Sequence, residues 1–501
     1  MKCWAVRLAA TLLCGLCAAR ATVAQDGSPF PEPGRLAGSG VGEIVLKSGT
    51  WNGARTDFGY VLVPENRTDP RSRLLELPFI RQHAVESPKA PPVFLLGGGP
   101  GQSNLWAELP PVFRAENDLV RVGYRGVDGS VKLICPQVGR ALAEARPLSP
   151  EGIARTRDAL RECHGELAAD GVDIDGYNMV EVADDVEAVR KALGYDSIQL
   201  FSTSYGTQLA DIYSRRYPEA THRSLMIGAS SRARRFVWDV ETVEGQLRGY
   251  ADLWRADPEA AARTPDLLGT IRGVLDSLPA EWRGVPLDRD KLRLATFHLL
   301  YETGTAAAVL DAYVAASGGD MGGLAVICLG YDEDVQSTSR RYWGEFFSKI
   351  VSGGFPAAGA AAGAADTGVV LGSPANELWA AAGDGGWPIE TIPEEYCRLA
   401  SIAVPTLVLN GGLDFSSPPE QALELEAHLT NGTVVLLPGM GHMDVVRLQR
   451  EAFEAAVSAF FIRGEIDTSG YRRPAPDFTP GETFQDYARE LLGEDPPLVG
   501  E

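Results

Sequence analysis

Positive charge is in short supply along this chain. Its 46 Lys and Arg stand against 67 Asp and Glu, giving a formal net charge of −21. A surface of that sign repels nucleic acid and anionic membranes, so neither is an expected partner. Long apolar runs are also missing. The stretch Leu8 to Ala18 is too short to cross a bilayer, so no stable membrane insertion is expected. Cysteine is sparse, with 7 in 501 residues. Beyond the first two dozen residues only Cys135, Cys163, Cys328 and Cys397 remain, and no two of them form a CxxC pair. Structural zinc and dithiol redox motifs are therefore not expected. Histidine is scarcer still, at 6, so a catalytic base can be sought by elimination.

What is present at the N-terminus is an address. Lys2 and Arg7 precede the short apolar stretch, and Thr22-Val23-Ala24 offers small residues at the cleavage positions. Residues 1–24 thus read as a signal peptide, and the chain as exported, periplasmic or secreted. In an oxidising compartment four remaining cysteines suggest two disulfides, with three connectivities available. Cys135–Cys163 and Cys328–Cys397 are favoured, because each pair falls within one region of the chain.

The rest alternates between strand and helix patterns. Phe58 to Val63 and Leu74 to Ile80 read as an antiparallel pair. Val93–Leu96, Leu119–Tyr124, Ser197–Phe201, Ser224–Gly228, Thr406–Leu409 and Thr433–Leu437 follow as further strands. Val182, Val186, Val189 and Leu193 mark one helix face, and an amphipathic pattern runs from about Val446 to Phe461. This is an α/β pattern, a mostly parallel doubly wound sheet with its ligand site at the strand C-terminal ends. Between Ser231 and Ala400 the alternation stops and helical patterns take over, at Leu247–Trp254, Pro265–Leu278 and Leu292–Tyr301. The expected organisation is a core in two parts, 25–230 and 401–465, with a large helical cap inserted at 231–400. Within the cap, Pro356 to Gly363 is an Ala/Gly-rich patch that reads as a loop. Residues 466–501 form an extension that packs loosely over the core.

The most informative segment is Leu200-Phe201-Ser202-Thr203-Ser204-Tyr205-Gly206-Thr207. A buried strand runs into small-x-Ser-x-Gly and then into a helix that stops at Pro218. This is the pattern of a nucleophile elbow, a strained turn that lifts a serine hydroxyl above the sheet edge. Ser202 stands where glycine is commoner. The strand Val93–Leu96 leads into Gly97-Gly98-Gly99-Pro100-Gly101, whose bare backbone lets amides approach a substrate oxygen. The loop has no Gly-Lys-Ser/Thr and no GxGxxG, which sets phosphate binding aside. The Gly99 and Tyr205 amides are the expected oxyanion hole. Of the histidines, only His442 lies in a small-residue loop directly after a strand. Asp414, just beyond Thr406–Leu409, supplies the acid, since Asp444 is too near His442 in sequence to back it from the opposite side. Ser204, Asp414 and His442 then fall in the chain order this architecture requires. No metal or organic cofactor is called for.

Taken together, Gly97-Gly98-Gly99-Pro100-Gly101, Arg125-Gly126-Val127-Asp128-Gly129-Ser130 and Thr203-Ser204-Tyr205-Gly206-Thr207 resemble the α/β-hydrolase-fold serine peptidases of the prolyl aminopeptidase and tripeptidyl-aminopeptidase-like type. The resemblance covers about Phe58 to Gly228 and Val404 to Phe461. Gly97, Gly123 and Asp128 depart from the residues frequent there (His, Asp and Gly). It implies a serine hydrolase that releases residues or short peptides from peptide N-termini through an acyl-enzyme. Two alternatives share the fold: a carboxylesterase acting on small esters, and a catalytically silent binding protein. An exo-acting peptidase needs carboxylates to pair the substrate ammonium, and Asp332, Glu333 and Asp334 of the cap are the candidates.

Overall fold

The computed structural model describes residues 28–356, 369–474 and 477–493, apart from Ser87, Lys89 and Glu108. The expected signal peptide, and all but the first residue of the Ala/Gly-rich patch, lie outside the described residues.

Eleven strands occur in chain order among the described residues. They are β1 (Ile44–Trp51), β2 (Ala54–Pro64), β3 (Leu74–Gln82), β4 (Val93–Leu96), β5 (Leu119–Val122), β6 (Ile198–Thr203), β7 (Thr221–Ile227), β8 (Glu281–Trp282), β9 (Val285–Pro286), β10 (Thr406–Gly411) and β11 (Gly432–Leu437). Nine of them form one sheet, in the order β1-β2-β3-β5-β4-β6-β7-β10-β11, and β8 pairs with β9 apart from it. From β1 to β5 neighbours are antiparallel, and from β5 through β4 to β11 they are parallel.

Every residue of β4, β5, β6 and β10 is buried. That explains their near-continuous apolar runs, since a parallel sheet is covered on both faces. Side chains alternate across the sheet, so Val93 and Leu95 pack into one hydrophobic cluster with Phe201, Leu225 and Leu409. Phe94 and Leu96 pack into the other, with Leu200, Met226 and Val408. Apolar burial of this kind contributes about 25 cal/mol per Å². The elbow helix Tyr205–Arg216 is buried over most of its length, and Met179–Ala192, capped by the Asn178 side chain, packs beside it.

Between β7 and β10 the chain leaves the sheet for a block of helices, including Val240–Ala256, Arg289–Leu299, Thr303–Ser317, Gly322–Val335, Trp343–Ser352 and Pro374–Gly383. The extension does more than lie over the core. Helix Phe484–Leu492 packs on Gly322–Val335, and the Phe478 ring stands 5.1 Å from the ring of Trp254 in the helical block.

Cys135 and Cys163 are bridged, with Cα atoms 5.5 Å apart. The expected Cys328–Cys397 bridge is absent, and both are buried free thiols. They belong to different neighbourhoods. Cys328 lies on Gly322–Val335 beside the Asp288 backbone and Lys291. Cys397 turns its Sγ to the Ile392 carbonyl, 3.6 Å away, close to Arg232. Being far apart in sequence but inside one helical block did not bring them together.

Candidate active site

Ser204 sits between β6 and the elbow helix with φ 53° and ψ −126°, a backbone conformation that L residues seldom adopt. Its amide donates to the Ile227 carbonyl at 2.9 Å, and its carbonyl accepts from Thr207 Oγ1 at 2.6 Å. The turn needs glycine at 206, because a Cβ there would lie 2.0 Å from the Leu96 carbonyl oxygen. Ser202 fits in the glycine position. It is fully buried, with its Oγ 3.3 Å from the Leu225 carbonyl.

The glycine loop lies directly against the elbow, where a Cβ on Gly98 would come within 2.6 Å of the Ser204 Cβ. Most of the loop's amides are engaged. Gly97 donates to Asn104 Oδ1 at 2.8 Å, Gly98 to Thr203 Oγ1 at 3.0 Å, and Gly101 to the Glu345 carboxylate. Gly99, with φ +76°, lines the same cavity as Ser204 and Tyr205. The Tyr205 amide belongs to the first helical turn, where N–H groups have no partner within the helix. Both residues expected to supply the oxyanion donors therefore line the cavity that holds Ser204.

The Arg125–Ser130 motif is scaffold for this loop. Asp128 accepts from the Asn104 and Tyr124 amides at 3.1 and 2.9 Å, and burial pushes its carboxyl up to about 6. Asn104 in turn reaches the Leu95 and Val122 carbonyls. Arg125 is fully buried on Asp185, at 2.7 and 2.6 Å.

His442 follows β11 and Asp414 follows β10. His442 Nδ1 lies 2.8 Å from Asp414 Oδ2, and the Asp414 Oδ1 accepts from the Ser417 amide at 2.7 Å. Both side chains are buried. Burial works against a charged imidazole, but Asp414 and then Glu302 outweigh it, so His442 stands above its ordinary value. Asp444 faces elsewhere, onto the Gly441 amide at 2.8 Å and Thr303.

Ser204 and His442 share a cavity of about 180 Å³. Aromatic side chains are prominent in its wall, with Phe236, Trp238, Tyr301, Tyr331, Trp343, Phe346 and Trp379. Of the acidic cap cluster only Asp334 reaches it, and Arg341 holds that carboxylate at 2.6 Å. Asp332 is paired with Lys291 at 2.7 Å, and Glu333 lies 3.8 Å from Arg340. Sequence reasoning passed over Glu302, a buried cavity carboxylate that accepts from the Met443 amide at 2.9 and 3.1 Å. Burial, with Asp444 nearby, raises Glu302 to about 8 against the opposing pull of His442 and Arg447. His298 also lines the cavity; its Nδ1 is tied to the Leu294 carbonyl at 2.9 Å. Among the described residues no cluster of three or more potential metal ligands occurs.

A serine in a strained elbow, a glycine loop packed against it and a carboxylate-backed imidazole in the same cavity are parts suited to acyl transfer. The sequence comparisons point to a hydrolase. The sequence profile of the α/β-hydrolase fold matches residues 91–271, and that of TAP-like proteins matches residues 375–472. Serine protease Hip1 of Mycobacterium tuberculosis is 30% identical over 214 residues, 39% of this chain and 39% of the relative. A tripeptidyl aminopeptidase of Streptomyces lividans is 25% identical over 240 residues, 43% of this chain and 44% of the relative. The chain thus spans less than half the length of these curated relatives. Among solved structures, a serine hydrolase from Cycloclasticus zankles is 12% identical, with 85% of this chain and 100% of that chain covered and a TM-score of 0.37. An esterase from Thermogutta terrifontis is 14% identical, with coverages of 79% and 96% and a TM-score of 0.34. With its nine-stranded sheet, its matching fold profile and these relatives, the chain is an α/β-hydrolase-fold protein resembling the tripeptidyl-aminopeptidase-like serine peptidases.

Proposed function

We propose that the chain is an exported serine hydrolase that removes residues or short peptides from free peptide N-termini. The observation that carries this reading is the buried His442–Asp414 pair, 2.8 Å between Nδ1 and Oδ2, sharing one cavity with Ser204. In the proposed cycle, His442 Nε2 takes the Ser204 proton and the alkoxide attacks the substrate carbonyl. The Gly99 and Tyr205 amides hold the oxyanion. The imidazolium, steadied by Asp414, then protonates the departing amine and leaves an acyl-enzyme. Water, deprotonated by His442, releases the acid and restores Ser204. Residues 25–230 and 401–465 form the core in this reading, 231–400 the cap that roofs the cavity, and 466–501 an extension. The Cys135–Cys163 disulfide supports export, because such bonds persist in oxidising compartments.

The substrate ammonium is assigned to Glu302. Asp332, Glu333 and Asp334 are neutralised by Lys291, Arg340 and Arg341. Glu302 has two cationic neighbours, the His442 imidazole and the half-exposed Arg447 3.7 Å away. An arriving ammonium would stabilise the charged form of a carboxylate that burial now disfavours. A carboxylesterase would use the same serine, and the aromatic side chains of the wall suit an uncharged acyl group equally well. The free amine separates the two. N-acetylating a good aminoacyl-amide substrate is expected to lower kcat/KM at least ~10-fold, about 1.4 kcal/mol, and Glu302→Gln to erase the difference. Equal turnover of the two substrates by the unmodified enzyme would replace the aminopeptidase reading with the esterase.

A further inference from the structure

The helical block grips both catalytic loops. On the base side, three consecutive residues of the block face four consecutive residues of the histidine loop. The His442 amide donates to the Tyr301 carbonyl at 2.7 Å, and the Met443 amide to Glu302. Asp444 Oδ2 gathers the Thr303 amide at 3.0 Å, the Thr303 hydroxyl at 2.7 Å and the Gly441 amide at 2.8 Å. On the oxyanion side, Gly101 at the end of the glycine loop donates its amide to the Glu345 carboxylate. Its carbonyl accepts from the Tyr342 amide at 3.0 Å. Glu345 is fully buried and paired with the equally buried Lys349 at 3.0 Å, whose Nζ donates to the Tyr177 carbonyl at 2.6 Å. Neither Asp444 nor Glu345 lines the substrate cavity.

Burying a carboxylate is costly, and an apolar contact would hold two layers together at less expense. What a carboxylate adds is direction, because short charge-assisted bonds from backbone N–H groups fix where those amides point. Here the amides are those of Gly441, next to the base, and Gly101, at the end of the loop that carries the Gly99 oxyanion donor. We infer that Asp444 and Glu345 are positioning residues that set the base loop and the oxyanion loop in register through the inserted helices. The block is then a fixed part of the catalytic scaffold as well as the roof of the cavity. This rests on the Ser204–His442–Asp414 reading.

The test compares wild type, Asp444→Ala, Asp444→Asn, Thr303→Val and Glu345→Ala. It measures kcat and KM on a short-chain ester and the rate at which diisopropyl fluorophosphate phosphorylates Ser204 with loss of fluoride. Rates are expressed per folded site, with folding followed by thermal melting. Misplacing reacting groups by about 1 Å costs ~100-fold, so Asp444→Ala and Glu345→Ala are expected to lose 30- to 100-fold in kcat and in labelling, with KM within ~3-fold. Asp444→Asn keeps an acceptor oxygen and is expected to recover most of the loss, which a filler of space would not do. Should the alanine variants fail to fold, Thr303→Val, which removes one of the three donors to Asp444, carries the test through an expected ~3-fold fall in kcat at constant KM. Variants labelled as fast as wild type, or a change confined to KM, would overturn the tether alone. A wild type that resists labelling at Ser204 would overturn the catalytic reading and the tether with it.

Discussion

Changing Asp414 to asparagine keeps the shape of the site and removes one charge. The structure sets what that costs. The carboxylate accepts on both sides, from the Ser417 amide at 2.7 Å and from His442 Nδ1 at 2.8 Å. An amide can accept on only one. With its oxygen toward Ser417, its NH2 faces Nδ1, so the ring proton moves to Nε2 and His442 can no longer take the Ser204 proton. With the amide reversed, two donors meet at Ser417, at a cost of ~1–3 kcal/mol for the unsatisfied buried group, so the productive arrangement falls to between about 1 in 5 and 1 in 150. Replacing a charge-assisted bond to the imidazolium by a neutral one removes another ~1.5–2 kcal/mol, roughly 10- to 30-fold. Asp414→Asn should therefore lower kcat about 10³-fold, near 4 kcal/mol, on ester and aminoacyl amide alike. Asp444→Asn should stay within ~10-fold, because one oxygen already serves all three of its donors. Paired kinetics, with circular dichroism to verify folding, decide the matter. The reverse ranking, or an Asp414→Asn enzyme within tenfold of wild type, would refute the assignment of the acid.

Ser204→Ala is expected to lower kcat at least ~1,000-fold with the melting temperature unchanged, since triad members act as a unit; organophosphonate mass should map to Ser204, and mass on Ser202 would overturn the elbow assignment. Because Asp414 and Glu302 hold His442 above its ordinary value of 6.5, the base is lost as pH falls through that raised value, so the acid limb of kcat/KM should have its midpoint above pH 6.5. A midpoint below 6.5 would show that the carboxylates do not outweigh burial. The Cys135–Cys163 bridge spans a sequence separation of 28, and in the chain-entropy account its removal by Cys135→Ser/Cys163→Ser should cost ~3.6 kcal/mol in urea unfolding. Peptide mapping should recover Cys328 and Cys397 as thiols; a disulfide between them would contradict the structure.

The central sheet was legible because its signals are local. Short, mainly apolar stretches bounded by turns mark β4, β5, β6, β10 and the buried end of β7, and burial on both faces gives them that composition. β1 was not foreseen. Of its eight residues, Lys47, Ser48, Gly49, Thr50 and Leu46 are exposed, so the strand has no apolar alternation to read. The extension misled in another way. It is rich in Pro, Gly and Glu, but Phe478, Phe484 and Tyr487 are buried, and these three aromatics seat it on the helical block.

The same contrast runs through the site. Ser204 and its elbow lie within one short segment, and the glycine loop, Asp414 and His442 each follow a strand directly, so strand ends and small residues point to them. The carboxylates around them carry no such mark. Thr303 and Asp444 are 141 residues apart, and Gly101 and Glu345 are 244 apart. Asp332-Glu333-Asp334 drew attention because three acids stand together, yet like charges in a row recruit their own cations, and here they are spent on Lys291, Arg340 and Arg341. Glu302 stands alone between the helix Arg289–Leu299 and the helix Thr303–Ser317, with no cation beside it in sequence. A single acid at the junction of two helices is a better sign of a cavity carboxylate here than the cluster is. Its charge has no local partner, so the fold must bring it one, and at this junction what the fold brings is the histidine loop.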